Sequence, residues 1–252
     1  MTNRAAAQPV LETRDLHMAF GGLVVFENLN FALRRGERHA IIGPNGAGKT
    51  TFVSVVTGLL QPTAGEVLFN GAEITRASPQ QRVKAGIART FQINSLFKAL
   101  NPLASIVIAL AEREGRGGVS LRSVAKQPAL IDEASALLAK FGLADDALKV
   151  TETLPYGKQR LLEVALALAL RPQLLLLDEP AAGLSTEQGH QLFRQLAVLT
   201  ADTTVLFIEH DMNLVFHYAD RVSVFAAGAL VVQDTPNHVR NHPRVREVYL
   251  GV

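Results

Sequence analysis

The chain contains no cysteine among its 252 residues, which excludes disulfide bonds, thiolate metal sites and thiol catalysis. It also lacks long apolar runs: the longest covers residues 164–170, whereas a membrane-spanning helix needs about 20 apolar residues. Residues 1–9 are polar and rich in alanine, without the apolar stretch of a secretory signal. The sequence therefore predicts a soluble, cytosolic protein that cannot cross a membrane by itself.

A strong charge of one sign is likewise absent. The 25 lysines and arginines stand against 23 aspartates and glutamates, and the resulting net charge of +2 does not indicate a nucleic-acid partner. Apolar residues make up 48% of the chain, which excludes a disordered protein. The length is that of one large or two modest domains.

The polarity pattern predicts the secondary structure. Short, alternating, β-branched segments predict antiparallel strands between residues 11 and 33, and Asn70-Gly71 predicts a tight turn. Further strands are predicted at residues 39–42, 67–69, 174–177, 204–208, 222–225 and 230–232, and helices at residues 49–60, 131–141, 161–170 and 186–199. We therefore predict an α/β fold with a mostly parallel core sheet, interrupted by a helical insertion. A mobile loop is predicted at residues 115–126.

Residues 43–50 fit the phosphate-binding motif G-x-x-x-x-G-K-[ST] and lie between a predicted strand and a predicted helix. Glycines allow backbone N–H groups to turn around an anion, and the helix that begins there contributes the positive end of its dipole. The alternative is a plain glycine-rich turn, but a chance match to the motif has a probability of roughly one in a hundred. Lys49 is predicted to reach the β- and γ-phosphates, and Thr50 to bind Mg²⁺. The predicted nucleotide contacts of this segment are Gly43, Pro44, Asn45, Gly46, Ala47, Gly48, Lys49, Thr50 and Thr51.

Two carboxylates follow the four leucines at 174–177, at the end of a strand where open α/β sheets bind ligands. Asp178 is predicted to be a second protein ligand of magnesium. Glu179 is predicted to polarise a water molecule for attack on the γ-phosphate. The alternative is that both acids cap the next helix, which Pro180 also fits.

His210 follows the next predicted strand and is therefore expected at the same sheet edge as Asp178 and Glu179. A histidine in this place can hydrogen-bond to a γ-phosphate or orient the attacking water. The alternative is a merely exposed or structurally satisfied histidine.

These motifs resemble the ATPase subunit of ATP-binding-cassette (ABC) transporters, and the resemblance extends over nearly the whole chain. It implies that Phe20 stacks on adenine and that Gln92 joins the magnesium site to the membrane partner. It also implies that His210 is the switch histidine and that residues 180–184 meet the opposite subunit. The family signature Leu-Ser-Gly-Gly-Gln aligns with Leu154, Pro155, Tyr156, Gly157 and Lys158.

The signature departs from the usual form. Pro155 replaces a serine that would contact the γ-phosphate, although proline suits the first turn of a helix. Lys158 places a cation near the helix N-terminus, where it can face a phosphate. This form, followed by Gln-Arg-Leu-Leu-Glu, resembles the ATPase subunits of branched-chain, or hydrophobic, amino-acid importers.

The resemblance implies a P-loop NTPase of the ABC ATPase type with an antiparallel amino-terminal subdomain. Residues 10–92 and 161–252 would form the nucleotide-binding core, and residues 93–160 the inserted helical subdomain. The implied cofactors are ATP and Mg²⁺, with metal ligands Thr50, Gln92 and Asp178 and catalytic residues Glu179, His210 and Gln92. The implied partners are a second ATPase subunit, identical or paralogous, two membrane permeases and an extracytoplasmic solute-binding protein. The implied location is the cytoplasmic face of the inner membrane.

Other interpretations remain open at this point. A urea or amide importer and a lipid-envelope exporter share the core motifs. A non-transport ABC protein usually carries two cassettes or a long coiled coil, and a generic P-loop kinase would lack the insertion between residues 92 and 154. Basic residues in and near the predicted loop could face anionic lipid or simply be solvated; they are Arg113, Arg116, Arg122 and Lys126.

Overall fold

The computed structural model describes residues 8–90, 96–115 and 127–250, with only the backbone described at 248–250. The strands are β1 (Leu11–Phe20), β2 (Leu23–Leu33), β3 (Arg38–Ile42), β4 (Ala64–Phe69), β5 (Ala72–Glu73), β6 (Ile87–Arg89), β7 (Leu174–Asp178), β8 (Thr204–Ile208), β9 (Arg221–Ala226) and β10 (Ala229–Asp234). The central sheet has the order β10-β9-β3-β8-β7-β6. Its β9–β10 pair is antiparallel and its other pairs are parallel. The predicted mostly parallel core sheet is therefore confirmed.

The second sheet is antiparallel and has the order β2-β1-β4-β5. The predicted turn at Asn70 and Gly71 joins β4 to β5, with φ angles of 52° and 79° at these two residues. Such left-handed angles suit the tight two-residue turns that match the twist of a hairpin. The predicted antiparallel strands between residues 11 and 33 are confirmed as β1 and β2.

The helices are α1 (Lys49–Val56), α2 (Pro79–Ala85), α3 (Pro102–Arg113), α4 (Pro128–Lys140), α5 (Tyr156–Ala169), α6 (Thr186–Leu199), α7 (Met212–Tyr218), α8 (Pro236–Asn241) and α9 (Pro243–Leu250). The helix predicted at 49–60 ends at Val56, because Gly58 adopts a left-handed φ of 77° and the chain turns there. The sequence pattern does not predict α2, α7, α8, α9 or β6, since elements of so few residues show little periodicity. Within the described ranges, no helix is both long and apolar enough to span a membrane.

The helical segment packs against one face of the central sheet. Leu110 of α3, Leu138 of α4 and Leu162 of α5 belong to one buried cluster with Leu175 and Phe207 of the sheet. The predicted boundary between residues 160 and 161 falls inside α5, so one continuous helix joins the segment to the core. The division of the chain into a core and a helical subdomain stays a prediction.

The opposite face of the central sheet packs against the antiparallel sheet, and α1 lies between them. Phe52 of α1 makes edge-to-face ring contacts with Phe31 of β2, at 5.1 Å between centroids, and with Phe225 of β9, at 5.4 Å. All three rings are buried. This packing fixes the helix that begins at the phosphate-binding motif.

An ion-pair cluster joins α3, α4 and the segment before β7. The Glu133 carboxylate accepts hydrogen bonds from Arg113 at 2.9 Å and from Arg171 at 2.8 Å. These bonds, with that from Arg113 the largest cause, lower the pKa of Glu133 from 4.5 to about 2. Because the folded-state pKa lies below the unfolded value, the stabilisation is present above pH 4.5 and is lost as the pH falls toward 2.

Glu133→Gln is therefore expected to lower the free energy of unfolding at pH 7 by about 1 kcal/mol. The variant should also lose less stability than the parent chain between pH 5 and pH 3, as measured by urea unfolding at each pH. Asp145→Asn is the control, since this aspartate is exposed and its side chain has no hydrogen bond in the described structure. A pH dependence in Glu133→Gln equal to that of the parent chain would contradict the prediction.

Candidate nucleotide-binding and hydrolysis site

The loop of residues 43–48 connects β3 to α1, and neighbouring strands approach its backbone closely at two glycines. A Cβ atom at Gly43 would lie 2.2 Å from the carbonyl oxygen of Phe225, so no side chain fits there. Gly48 is the N-cap of α1 with a left-handed φ of 91°, which glycine adopts without steric cost. The loop and the first N–H groups of α1 together form a cradle suited to an anion.

The Lys49 amine lies inside this loop. Its Nζ donates to the carbonyl oxygens of Gly43 at 2.7 Å and Pro44 at 3.0 Å, and the residue is 6% exposed. Burial lowers the pKa of Lys49, whereas the charges of Glu179 and Asp178 act in the opposite direction. Both bonded partners are neutral carbonyl groups, so the positive charge remains available to a phosphate.

The ends of β7 and β8 bring the predicted acid and base groups together. Asp178 stands opposite Ile208 in the parallel register, and His210 Nε2 lies 2.7 Å from Glu179 Oε1. The side chains of Glu179 and His210 are 41% and 46% exposed, so solvent reaches both. The predicted placement of His210 at the same sheet edge as the two acids is confirmed, and its contact there is with Glu179.

The alternative that Asp178 and Glu179 only cap the next helix is wrong. The N-cap of α6 is Ser185, whose hydroxyl accepts from the Gln188 N–H while the Gln188 side chain accepts from the Ser185 N–H. This capping box satisfies the helix end several residues after the carboxylates. Asp178 and Glu179 remain at the sheet edge.

Arg89 is a site residue that the sequence pattern does not indicate. Its Nη2 donates to Asp178 Oδ2 at 2.7 Å, and the two side chains are 12% and 17% exposed. Arg89 ends β6, the edge strand beside β7, and therefore approaches the end of β7 from the side. Because β6 has only three residues, no periodicity predicts this position. The available signal is that Arg89 lies three residues before Gln92, a predicted magnesium ligand.

Glu209 is a second unpredicted member of the site. Its Oε1 accepts from the Ala181 N–H at 2.8 Å and its Oε2 from the His210 N–H at 3.1 Å. The side chain is buried, and this burial raises the pKa of Glu209. Glu209 thus ties the turn after β7 to the end of β8. Its signal is its position beside His210 in the sequence.

The signature segment lies at the start of α5. Pro155 is the N-cap of the helix, one position before the first turn in which the sequence places it. The Tyr156 hydroxyl donates to the carbonyl oxygen of Ala182 at 2.9 Å, so the signature contacts the turn after β7. Lys158 forms an ion pair with Asp146, and its side chain is 41% exposed.

The remaining predicted contacts are placed as follows. Phe20 ends β1 and is 49% exposed, beside the β1–β2 turn. Val25 of the same hairpin would lie 3.2 Å from a Cβ atom at Gly48, so the hairpin adjoins the phosphate loop. The Thr50 side chain is exposed and that of Thr51 is partly buried. Gln92 and most of the predicted loop at 115–126 lie outside the described residues.

A family model described as ABC transporter matches residues 26–182 of the chain. The chain therefore belongs to the family of ATP-binding subunits of ABC transporters, which are ATPases. The sheet topology and the family match confirm the predicted P-loop NTPase fold of the ABC ATPase type.

Its curated relatives include ATP-binding proteins of amino-acid transport. It is 37% identical to the high-affinity branched-chain amino acid transport ATP-binding protein LivG of Escherichia coli K12, covering 97% of this chain and 99% of LivG. It is 36% identical, with the same coverage, to the corresponding protein BraF of Pseudomonas aeruginosa. A probable LivG protein of Archaeoglobus fulgidus is 33% identical over 96% of this chain and 95% of its own length.

Solved structures of ATP-binding cassettes share the fold. A nucleotide-free cassette of an ABC transporter has a TM-score of 0.85 and 27% identity, covering 97% of this chain and 100% of its own. The ADP conformation of a cassette has a TM-score of 0.84 and 27% identity, covering 98% of this chain and 100% of its own.

Proposed function

We propose that this chain is the ATP-binding and ATP-hydrolysing subunit of an importer for branched-chain amino acids. The observation that carries the proposal is the similarity to LivG, at 37% identity over 97% of the chain. Two of the relatives named above are described as high-affinity branched-chain amino acid transport proteins. The nucleotide site supports the energising part of this role, because the phosphate loop holds Lys49 and one sheet edge holds Asp178, Glu179 and His210.

Nucleotide binding is assigned to the loop of residues 43–48 and the start of α1. Lys49 would exchange its loop carbonyls for the β- and γ-phosphate oxygens, which are stronger, charged acceptors. The N–H groups of the loop and of α1 would bind the remaining phosphate oxygens. The half-exposed ring of Phe20 would stack on the adenine.

Thr50, Asp178 and Gln92 are the residues that would hold Mg²⁺. The hydroxyl, carboxylate and amide oxygens of this set are the ligands that the ion prefers, so the residues fit it. The bond from Arg89 uses only the Oδ2 oxygen of Asp178. When bound, the ion would neutralise charge on the β- and γ-phosphates.

Hydrolysis is assigned to the pair of Glu179 and His210. The Glu179 carboxylate would accept a proton from the attacking water, whose oxygen bonds to the γ-phosphorus while the bond from that phosphorus to the β–γ bridging oxygen breaks, which releases ADP and phosphate. His210 Nε2 lies 2.7 Å from Glu179 Oε1 and carries at most one N–H, so it would either orient that carboxylate or, once ATP is bound, donate to the γ-phosphate. Both groups are exposed enough to exchange protons with solvent after each turnover.

The remaining partners complete the assembly. The signature, residues 154–158, would cover the γ-phosphate on a second ATPase subunit, because one chain supplies one half of each site. Two permeases would dock beside Gln92 and Phe97, the latter 54% exposed. A solute-binding protein on the other side of the membrane would deliver the amino acid, and this chain would act at the cytoplasmic face of the inner membrane.

Lys49→Ala is expected to abolish thermal stabilisation by Mg-ATP. The parent chain should gain about 2.7 kcal/mol when the ligand is present at 100 times its Kd. Differential scanning calorimetry with and without Mg-ATP measures this difference. Lys84→Ala is the control, since this lysine is exposed on α2. A shift in Lys49→Ala equal to that of the control would reject the assignment of the loop.

The transport role is tested by co-expressing the chain with the two permeases, the solute-binding protein and, where its genome encodes one, the paralogous ATPase subunit that is paired with it. The purified complex is reconstituted in vesicles, and ATP turnover is measured with the binding protein loaded with leucine or with urea. Stimulation by leucine and not by urea is expected. Stimulation by urea alone would identify an amide importer instead, and absence of any complex would reject an importer role.

A further inference from the structure

Two side chains at the start of α5 bond to the turn that carries Glu179. The Tyr156 hydroxyl donates to the carbonyl oxygen of Ala182, and Arg160 Nη2 donates to that of Glu179, each at 2.9 Å. Residues four positions apart lie on the same face of a helix, one turn from each other. The signature helix is therefore attached to both ends of the turn at residues 179–182.

Arg160 belongs to a buried ion pair. Its Nη1 donates to Glu163 Oε2 at 2.6 Å, and the two side chains are 6% and 5% exposed. Arg160 Nε and Glu163 Oε1 are buried without a hydrogen-bond partner. Buried pairs with unsatisfied polar atoms are poor stabilisers, and apolar residues of similar size often stabilise a protein as well or better. The ion pair is therefore weak evidence that Arg160 serves stability, whereas the bond to Glu179 gives the guanidinium a position-setting contact.

The turn itself requires external support. Glu179 has a φ of 49°, a left-handed conformation that non-glycine residues adopt at a steric cost and that persists only where neighbouring groups enforce it. The Glu179 N–H donates to the carbonyl oxygen of Ile208 at 3.0 Å, and Glu209 holds the Ala181 N–H. The Arg160 bond supplies the constraint on the carbonyl side of Glu179.

The Tyr156 ring adds a packing contact to the same turn. A Cβ atom at Gly183 would lie 3.1 to 3.2 Å from three atoms of the Tyr156 phenol, so the tyrosine packs closely over this glycine. A shift of the first turn of α5 would therefore displace residues 182 and 183, which Tyr156 contacts. The hydroxyl bond and the ring contact make this junction stiff.

We propose that Tyr156 and Arg160 are positioning residues, which transmit movement of the signature helix to the Glu179 carboxylate. The inference rests on the proposed function, in which Glu179 is the base and the signature binds the partner's nucleotide. When the signature of this chain closes on the nucleotide bound to the partner subunit, the movement would place the Glu179 carboxylate to act on the nucleotide bound to this chain. Neither residue needs to touch the reacting atoms of its own site.

The test compares Tyr156→Phe, Arg160→Met and Arg160→Lys in the full chain, assembled with its partner subunits. We expect Tyr156→Phe to lower kcat about 3- to 10-fold and Arg160→Met about 10- to 100-fold, because a misplaced reactive group slows the chemistry. The Kd of the isolated, full-length chain for Mg-ATP should stay within about twofold, because without a partner subunit no signature contacts the nucleotide and neither side chain lies in the phosphate loop. Arg160→Lys should recover part of the rate, since its amine can still donate to Glu179. Arg194→Met, on the exposed face of α6, is the control with unchanged kcat.

A second measurement separates positioning from a general structural role. Single-turnover hydrolysis is compared for each substitution alone and combined with Glu179→Gln. If Tyr156 and Arg160 act through the carboxylate, they should cause no further loss in the Glu179→Gln background. Equal losses in both backgrounds, or a normal kcat in Tyr156→Phe, would overturn the inference. If Arg160→Met does not fold, Tyr156→Phe decides, since it retains the ring and removes only the hydroxyl.

The role of Glu179 as the base and the positioning role of Tyr156 and Arg160 are rejected by different results. Near-normal turnover of Glu179→Gln by itself would reject the role of Glu179 within the proposed function. A strong loss in Glu179→Gln together with normal rates in Tyr156→Phe and Arg160→Met would reject only the positioning role.

Discussion

Glu179→Gln is expected to lower ATP hydrolysis about 10²- to 10⁴-fold while leaving ATP binding intact. The amide has nearly the same shape as the carboxylate, and its oxygen can still accept a hydrogen bond from His210. It cannot accept a proton from the attacking water at neutral pH. Binding should survive, because the phosphate contacts are assigned to the loop at residues 43–48 and to Lys49, which Glu179 only faces electrostatically.

The measurement is steady-state phosphate release, with the Kd for Mg-ATP obtained separately by equilibrium titration. Glu187→Gln is the matched control: this glutamate lies in the first turn of α6 with a side chain 81% exposed, and its variant should retain the parent rate. Near-normal turnover in Glu179→Gln would show that another group is the base. A loss of Mg-ATP binding in that variant would show that its rate does not report on catalysis.

Arg82→Met is expected to lower the free energy of unfolding by about 3–5 kcal/mol. Arg82 of α2 is 1% exposed, and its guanidinium contacts the carboxyl end of α1, the helix that begins at the phosphate loop. Its guanidinium donates to four backbone carbonyl oxygens, at 2.6 to 3.1 Å, which are those of Val55, Val56, Thr75 and Ala77. Methionine fills much of the same volume but leaves all four carbonyls, three of them in buried contacts, without this donor.

The charge of Arg82 adds to the effect. Burial lowers the pKa of Arg82 to about 10, so it remains protonated at neutral pH and neutralises the negative end of the α1 dipole. The contact also explains why residue 58 is glycine, since a Cβ atom there would lie 2.9 Å from Arg82 Nε.

Urea unfolding monitored by circular dichroism measures the change, with the slope of the transition checked for constancy. Arg76→Met is the control, because this arginine is exposed in the same segment and its variant should stay within about 0.5 kcal/mol of the parent chain. A loss below about 1 kcal/mol in Arg82→Met would mean that water replaces the guanidinium at these carbonyls.

Local sequence patterns predict most of the elements that position the site. The four leucines at 174–177 are buried on both faces in β7, and residues 204–208 and 186–199 form β8 and α6 with the predicted bounds. The phosphate motif falls between β3 and α1 as expected. These patterns succeed because the burial and backbone conformation of a helix or strand determine the polarity pattern of consecutive residues. The end of α1 is mispredicted, since Thr57 to Leu60 continue an apolar pattern that Gly58 interrupts.

The sequence by itself determined the family, the phosphate loop, and the acid and histidine at two strand ends, because each depends on a contiguous motif. The tertiary structure alone decided which side chains surround them. Arg89 meets Asp178, Arg160 meets the backbone of Glu179, and Arg82 closes the end of α1, across long separations in the chain. Such pairings depend on which elements pack together and at what register. Local periodicity carries no information about contacts between residues that are far apart in the sequence.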